Sequence, residues 1–220
     1  MDAHPFDPAW VGVQHLELDA AWMAHHLAAS RNATGQREHH PAQRIDILFL
    51  LVGDEIDNIE ATLLPLQDAG SVEVILVDGG SRDDTVARAR QLGARVIAGP
   101  PGRALQMNRG ADIARGRILF FVHADSRLPR GFDDLIRPAL SRPGVVAGAF
   151  TLRIDAPGMS LRFVEYWANL RSRYLKMPYG DQGLLLSRHF YKEVGGFPDT
   201  PFMEDVQIVR AIGKSRLRHF

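Results

Sequence analysis

Four polar clusters in this sequence carry residue types that can do chemistry, and each stands where an apolar run stops. The tightest is His123-Ala124-Asp125 with Ser126, which follows five large apolar residues, Ile118 to Val122. An aspartate at the end of a buried strand, beside a histidine, can hold a divalent cation that carries phosphates. The plainer reading is that Asp125 caps the turn before Arg127-Leu128-Pro129. A second cluster, Gly53-Asp54-Glu55, follows the apolar run that starts at Ile45.

The third cluster is Asp78-Gly79-Gly80-Ser81. Asp78 can accept a hydrogen bond from a base or a ribose, and paired glycines let a ligand approach the backbone closely. An ordinary strand-to-helix turn with Ser81 as N-cap fits equally well. The spacing is not that of a dinucleotide-binding GxGxxG. The fourth cluster is Gly99-Pro100-Pro101-Gly102-Arg103, with Asn108 one and a half helical turns further on. An arginine at a helix start, beside free backbone N–H groups, suits a diphosphate. The acidic pair Glu204-Asp205 begins the last apolar-periodic stretch. There a carboxylate can act as a general base toward a hydroxyl, or simply favour the helix dipole.

These clusters need a scaffold that brings them to one edge, and the periodicity provides it. Ile45 to Val52, Val72 to Val77, Ala94 to Ala98 and Ile118 to Val122 read as strands. Asp57 to Asp68, Asp83 to Leu92 and Arg103 to Ala114 read as the helices between them. Such alternation calls for a mainly parallel central sheet in a Rossmann-like three-layer α/β/α fold, with ligands at the carboxyl ends of the strands. Beyond Ser126 the rhythm loosens. Gly131 to Leu140 reads as a helix, and Gly144 to Ile154 as a strand at the sheet's edge. Ser160 to Leu175 reads as a long helix with Leu161, Val164, Trp167, Ala168 and Leu175 mostly on one face. A polar loop around Gly180-Asp181-Gln182, a strand over Leu184 to Ser187 and a helix over Glu204 to Ile212 complete the pattern.

The 220 residues divide into an extension, 1–43, partly helical or flexible, and one α/β domain, 44–220. The extension holds six of the nine histidines. Its pairs His25-His26 and His39-His40 lack the spacing of a helical metal site, because adjacent side chains point apart. Asp19 to Ala29 reads as a short helix. A formal net charge of zero offers nucleic acid no attracting field, and no cysteine is present for disulfides or zinc. No secretory signal and no run long enough for a bilayer is found, which makes the cytoplasm the expected compartment. The basic residues near the C-terminus, Arg210, Lys214, Arg216, Arg218 and His219, allow a peripheral contact with anionic lipid, although a solvated basic helix end accounts for them as simply.

Taken in order, Ile59-Glu60-Ala61-Thr62-Leu63, Val77-Asp78-Gly79-Gly80-Ser81, Pro101-Gly102-Arg103 with Gln106-Met107-Asn108, His123-Ala124-Asp125-Ser126, Tyr179-Gly180-Asp181-Gln182 and Met203-Glu204-Asp205-Val206 resemble the motifs of the family 2 inverting glycosyltransferases. The resemblance runs from about Arg44 to the C-terminus. It is strongest to a compact bacterial subgroup, some of whose members occur with radical-SAM or selenoprotein-associated genes. It implies a GT-A fold and transfer of a sugar from a nucleoside-diphosphate sugar, a UDP-sugar by preference, to a hydroxyl or carboxyl acceptor. The acceptor is a saccharide, a lipid or a small molecule. By the same resemblance Asp78 and Gly79 would meet the base or ribose, in a pocket shared with Glu55 and Leu51. Gly102, Arg103, Asn108 and Ala124 would lie along the donor and its phosphates. Asp125, with His123 where the family's D-x-D motif has its first aspartate, would hold Mn²⁺ or Mg²⁺. Asp205, paired with Glu204, would be the catalytic base, and Gly180, Asp181 and Gln182 would line the acceptor side. The sequence departs from the family at Leu51-Val52-Gly53-Asp54-Glu55, which lacks the usual proline and asparagine. It also ends at Phe220, where relatives continue, so a domain truncated at its C-terminus is implied. A nucleotide-sugar-binding protein without turnover and a nucleotidyltransferase are the alternatives. The latter normally has a glycine-rich basic loop where Gly53-Asp54-Glu55 stands.

Overall fold

The structure is a computed structural model, and it describes residues 14–17, 45–51, 54–67, 69–200 and 202–219. The strands are β1 (Gln14–Glu17), β2 (Ile45–Leu51), β3 (Val72–Asp78), β4 (Arg95–Ala98), β5 (Ile118–His123), β6 (Ser126–Arg127), β7 (Ala147–Ala149), β8 (Thr151–Ile154), β9 (Leu184–Ser187) and β10 (Leu217–His219). The helices are α1 (Ile56–Leu63), α2 (Thr85–Gln91), α3 (Arg103–Ile113), α4 (Phe132–Leu140), α5 (Met159–Leu170), α6 (Arg188–Glu193) and α7 (Glu204–Ile212).

Seven strands form the central sheet in the order β10-β7-β9-β5-β2-β3-β4. The pairs β2·β3, β2·β5, β3·β4 and β7·β10 are parallel, and only β9 runs antiparallel to its neighbours. Register fixes where the polar clusters fall. Leu51 pairs with Asp78, Asp78 with Ala98, and Leu50 with His123, so β2, β3, β4 and β5 all end along one edge.

Period-2 alternation separates the two cores. Ile118, Phe120 and Val122 of β5 and Leu76 of β3 pack with Ile59 and Leu63 of α1, Ala89 of α2 and Phe132 and Ile136 of α4. Leu119 and Phe121 of β5 and Ile75 and Val77 of β3 face the other way, toward Ala104, Met107 and Ala111 of α3, Phe190 of α6 and Ile208 and Val209 of α7. The apolar run in β5 is therefore a strand covered on both faces, as its lack of alternation predicts.

Several expectations are corrected. The first helix stops at Leu63 and tightens into a 3₁₀ turn at Leu64–Leu66, where Pro65 cannot donate to the helix ladder. The strand expected over Gly144 to Ile154 is two strands broken at Phe150, whose N–H bonds the Gln182 carbonyl at 2.9 Å. Its first half is not an edge, because β10 lies beyond it. Its second half, β8, belongs to a three-stranded sheet in the order β6-β1-β8. Gln14–Glu17, expected within an appended extension, is thus a strand paired with β6 and β8, both in the middle of the domain. The helix expected over Asp19 to Ala29 and the two histidine pairs lie outside the described residues. Finally, α5 ends at Leu170 and continues as a π-helical turn, Arg171–Leu175. Of its expected inner face only Ala168 is buried, whereas Val164, Trp167 and Leu175 are at least half exposed.

Candidate active site

The turns at the carboxyl ends of β2 and β3 are stitched together. Asp54 Oδ1 accepts from the Arg82 N–H at 2.7 Å, Thr85 Oγ1 accepts from the Glu55 N–H at 3.0 Å, and Asp83 Oδ2 accepts from the Ile56 N–H at 3.2 Å. The Thr85 hydrogen bond holds the Asp83 carboxyl below its usual range. Asp78 closes its own turn, with Oδ1 accepting from the Ser81 hydroxyl at 2.7 Å, the Ser81 N–H at 2.8 Å and the Gly80 N–H at 3.2 Å. Ser81 therefore braces Asp78 and is not the N-cap, a place taken by Asp84. Gly79 follows on the same turn. Glu55 accepts from the Asn58 side chain at 3.0 Å. Leu51 sits at the end of β2 opposite Asp78.

The Gly99 N–H donates to the Asp78 carbonyl at 2.8 Å, which brings the third cluster against the second. A Cβ on Gly99 would stand 2.6 Å from Val77 Cγ1, so only glycine fits this approach. Gly102 turns the chain into α3 with φ +123°, a conformation closed to L side chains. Arg103 then heads α3. Its Nη2 donates to His123 Nε2 at 2.7 Å, and its Nε lies 3.4 Å from Glu204 Oε1.

A guanidinium has only donors, so the histidine nitrogen facing it is the acceptor and the imidazole is neutral. Burial and the Arg103 charge push the His123 pKa down to about 3. On the next turn Ala124 is buried, and its carbonyl accepts from the Thr62 hydroxyl of α1 at 2.9 Å. Asp125 has a buried Oδ1 with no hydrogen-bond donor. Burial, then the Glu55 charge, raise its pKa to about 6. A backbone N–H bond at the carboxyl offsets part of this rise, but a turn cap would spend both oxygens in that way, whereas Oδ1 is left without a donor, as suits a carboxylate facing a cation.

The acidic pair divides. Asp205 Oδ2 accepts from the Gly180 N–H at 2.6 Å, and its Oδ1 from the Val206 N–H at 2.8 Å. A Cβ on Gly180 would lie 3.1 Å from His123 Nε2, 3.4 Å from Asp205 Oδ2 and 3.8 Å from Arg103 Nη2. One glycine thus marks the meeting point of three clusters. Asp181 carries a second buried oxygen without a donor, and burial raises its pKa although Arg171 opposes this. Glu204 instead points inward, with its side chain 4% exposed against Arg103. It braces the arginine, and the catalytic part expected of it has no open oxygen face.

Two more expected contacts are replaced. Asn108 does not face a phosphate: its Nδ2 donates to the Phe197 carbonyl at 2.8 Å, and its Oδ1 accepts from the Phe197 N–H at 2.9 Å and from the Tyr191 hydroxyl. Gln182, fully buried, donates to the Phe150 carbonyl at 3.3 Å and to Asn169 at 3.2 Å and accepts from Ser172. It fastens Phe150, at the break between β7 and β8, and α5 to the loop and does not line a surface. Thr62, Tyr191 and Asn169 were missed by sequence reasoning, for no local signal distinguishes them.

For the metal, Asp125 offers the unpaired oxygen, while the lone pair on His123 Nε2 is engaged by Arg103. Among the described residues no group of three or more His, Cys, Asp or Glu forms a ready-made cage. One carboxylate plus substrate phosphates is the usual way Mg²⁺ is held, so the donor set fits a cation brought with a diphosphate.

Residues 54–189 match the model of glycosyl transferase family 2, and the chain belongs to that family. Over 103 residues it is 33% identical to glucosyl-3-phosphoglycerate synthase of Mycolicibacterium paratuberculosis, covering 42% of this chain and 31% of that protein. Over 69 residues it is 42% identical to a PGL/p-HBAD biosynthesis glycosyltransferase of Mycobacterium tuberculosis, covering 28% of this chain and 27% of the relative. The matches thus span less than a third of the length of either curated relative. Among solved structures, M. tuberculosis glucosyl-3-phosphoglycerate synthase with Mn²⁺, UDP and glucosyl-3-phosphoglycerate superimposes with a TM-score of 0.57 at 18% identity, over 80% of this chain and 69% of that one. A mannosyltransferase from Pyrobaculum calidifontis with GDP-Man and Mn²⁺ gives 0.57 at 19% identity, over 82% and 56%. The fold is GT-A.

Proposed function

We propose that this chain is an inverting glycosyltransferase that moves a sugar from a nucleoside-diphosphate sugar, a UDP-sugar by preference, to a hydroxyl or carboxyl acceptor. The observation that carries the reading is the meeting of Arg103, His123 and Asp205 around Gly180, at the end of the strand that leads into Asp125. Asp78 and Glu55 would take the nucleoside, and Arg103 the diphosphate. Asp125 would hold Mn²⁺ or Mg²⁺, which supplies Lewis-acid stabilisation of the leaving diphosphate. The M. tuberculosis synthase, whose structures hold UDP with either metal, supports the choice.

In the reaction Asp205 takes the proton of the acceptor O–H. The acceptor oxygen bonds to the anomeric carbon from the face opposite the diphosphate. The bond from that carbon to the diphosphate oxygen breaks, and its electron pair leaves on the diphosphate. Two backbone N–H groups orient Asp205, and Arg103 faces the charge that develops on the leaving group.

Both Asp205 oxygens already accept backbone N–H bonds, and this favours a second reading, a nucleotide-sugar-binding protein without turnover. Calorimetric titration of UDP, then GDP, with and without Mn²⁺, tests the donor site; metal-dependent binding of one nucleotide is expected. Absence of binding by both would remove the site. Sugar release from the matching donor, lost in Asp205→Asn with nucleotide affinity kept, separates the enzyme from the binding protein. Equal turnover in the variant would remove Asp205 as base.

A further inference from the structure

We propose that the outer face of α5 and the π-helical turn after it docks on the surface of a bilayer containing anionic lipid. No described helix is long and apolar enough to cross a membrane, so the contact would be one of lying on the surface. Phe163, Tyr166, Trp167, Tyr174 and Leu175 are between 51% and 71% exposed, and Met159 at the start of the helix is 89% exposed. Seven of the eleven exposed large apolar side chains described for this protein fall between residues 159 and 175. Phe163 and Tyr166 both meet the Trp167 ring edge to face, at 5.9 and 5.8 Å between centroids, which makes one continuous aromatic surface.

The charge on this segment has one sign where it faces out. Residues 159–177 carry Arg162, Arg173 and Lys176, with Arg171 turned in against Tyr179, and one acid, Glu165. Glu165 is turned inward, with its side chain 12% exposed, bonded to the Ile154 N–H and paired with Arg162 at 2.9 Å. At the far end Arg173, Lys176 and Arg218 crowd together, and burial with the two arginine charges lowers the Lys176 pKa. Aromatic rings with polar edges flanked by arginine and lysine match the headgroup boundary of an anionic bilayer, where each cation adds attraction. A second copy of this chain fits less well, because a two-fold interface would set this basic face against itself.

The surface also leads into the candidate active site. Arg171 stacks on Tyr179 at 3.3 Å from the ring centroid and donates to the Met177 carbonyl at 3.0 Å. Tyr179 precedes Gly180, whose N–H holds Asp205. If the proposed transfer holds, a chain seated this way receives an acceptor that itself sits in the bilayer surface. Docking does not depend on that reading.

Cosedimentation of the full chain with phosphatidylcholine vesicles, with and without roughly 30% phosphatidylglycerol, tests the surface. Binding to the anionic vesicles is expected to weaken as salt rises. It should also be about tenfold or more weaker on neutral vesicles, in Phe163→Ser/Trp167→Ser and in Arg173→Glu/Lys176→Glu. Melting curves and UDP titration of the variants with Mn²⁺ control for folding and keep the donor site separate. The proposal is overturned if the wild type ignores anionic vesicles or if both double variants bind them as the wild type does. It is also overturned if the wild type is a dimer that Phe163→Ser/Trp167→Ser dissociates.

Discussion

Replacing Asp125 by asparagine should stabilise the metal-free protein at neutral pH. The carboxyl pKa rises from 3.8 to about 6 because the group is buried and near Glu55. Its protonated form is therefore favoured in the native state, and between those two values the folded chain binds more protons than the unfolded one. Stability contributed at this position is present below about pH 4, falls as pH rises toward 6, and stays lost above it. A shift of about two pKa units corresponds to roughly 3 kcal/mol, an upper bound because the amide also lacks a buried partner. For a chain of this length the gain is on the order of 5–10 °C in Tm at pH 8, with little difference at pH 4. Thermal unfolding at both pH values, with and without Mn²⁺ and UDP, measures it. Mn²⁺ and UDP should raise the wild-type Tm and leave Asp125→Asn unmoved. A variant destabilised equally at pH 4 and pH 8 would show that Asp125 is the turn cap after all, and the cation reading would go with it.

Gly180→Ala puts a methyl 3.1 Å from His123 Nε2 and 3.4 Å from Asp205 Oδ2. Because only the His123 ring is crowded and it need give by no more than a few tenths of an ångström, stability should fall by no more than about 1 kcal/mol, while turnover falls by roughly 10²-fold; unchanged turnover would dissociate these residues from the chemistry. Gly99→Ala, with Val77 Cγ1 at 2.6 Å, should cost about 1–3 kcal/mol in urea unfolding, and an unchanged midpoint would contradict the packing at the Asp78 turn. Asn108→Ala strands the Phe197 N–H and carbonyl and the Tyr191 hydroxyl, and should cost about 1–3 kcal/mol. It should lower kcat with nucleotide affinity kept, whereas a pure loss of UDP affinity would return Asn108 to the donor.

The parallel half of the sheet was legible because strands buried on both faces lose alternation and the helices between them keep a 3.6-residue period. β1 and β10 were not, since four and three residues carry no period and owe their existence to partners distant in the chain. The clusters at the strand ends were visible as polar residues after apolar runs. Asn108 and Gln182 misled because a polar residue inside a motif reads the same whether it faces a ligand or a carbonyl; the partners of Asn108 lie 83 and 89 residues away. The apolar spacing in α5 misled for a different reason. Periodicity shows that a helix has an apolar face, but only the fold shows what that face meets.

The position of the proposed base depends on α3 more than on α7, the helix that carries it. Asn108 holds Phe197, and Arg103, five residues earlier on the same helix, holds Glu204. Those anchors are separated by only about 7.5 Å of helical rise, so the stretch between Phe197 and Glu204 must loop outward, leaving Phe202 and Met203 exposed. Met203 turns the chain back into α7 with φ 64°, a left-handed conformation that costs a non-glycine residue on the order of 1 kcal/mol. Phe197 is pinned further by an edge-to-face contact with Phe121 of β5, at 4.8 Å between centroids. One helix thus carries Arg103, the residue proposed to meet the diphosphate, and fixes both ends of the segment that holds Asp205. A perturbation at Asn108 reaches the base through this segment while the turns around Asp78 stay in place.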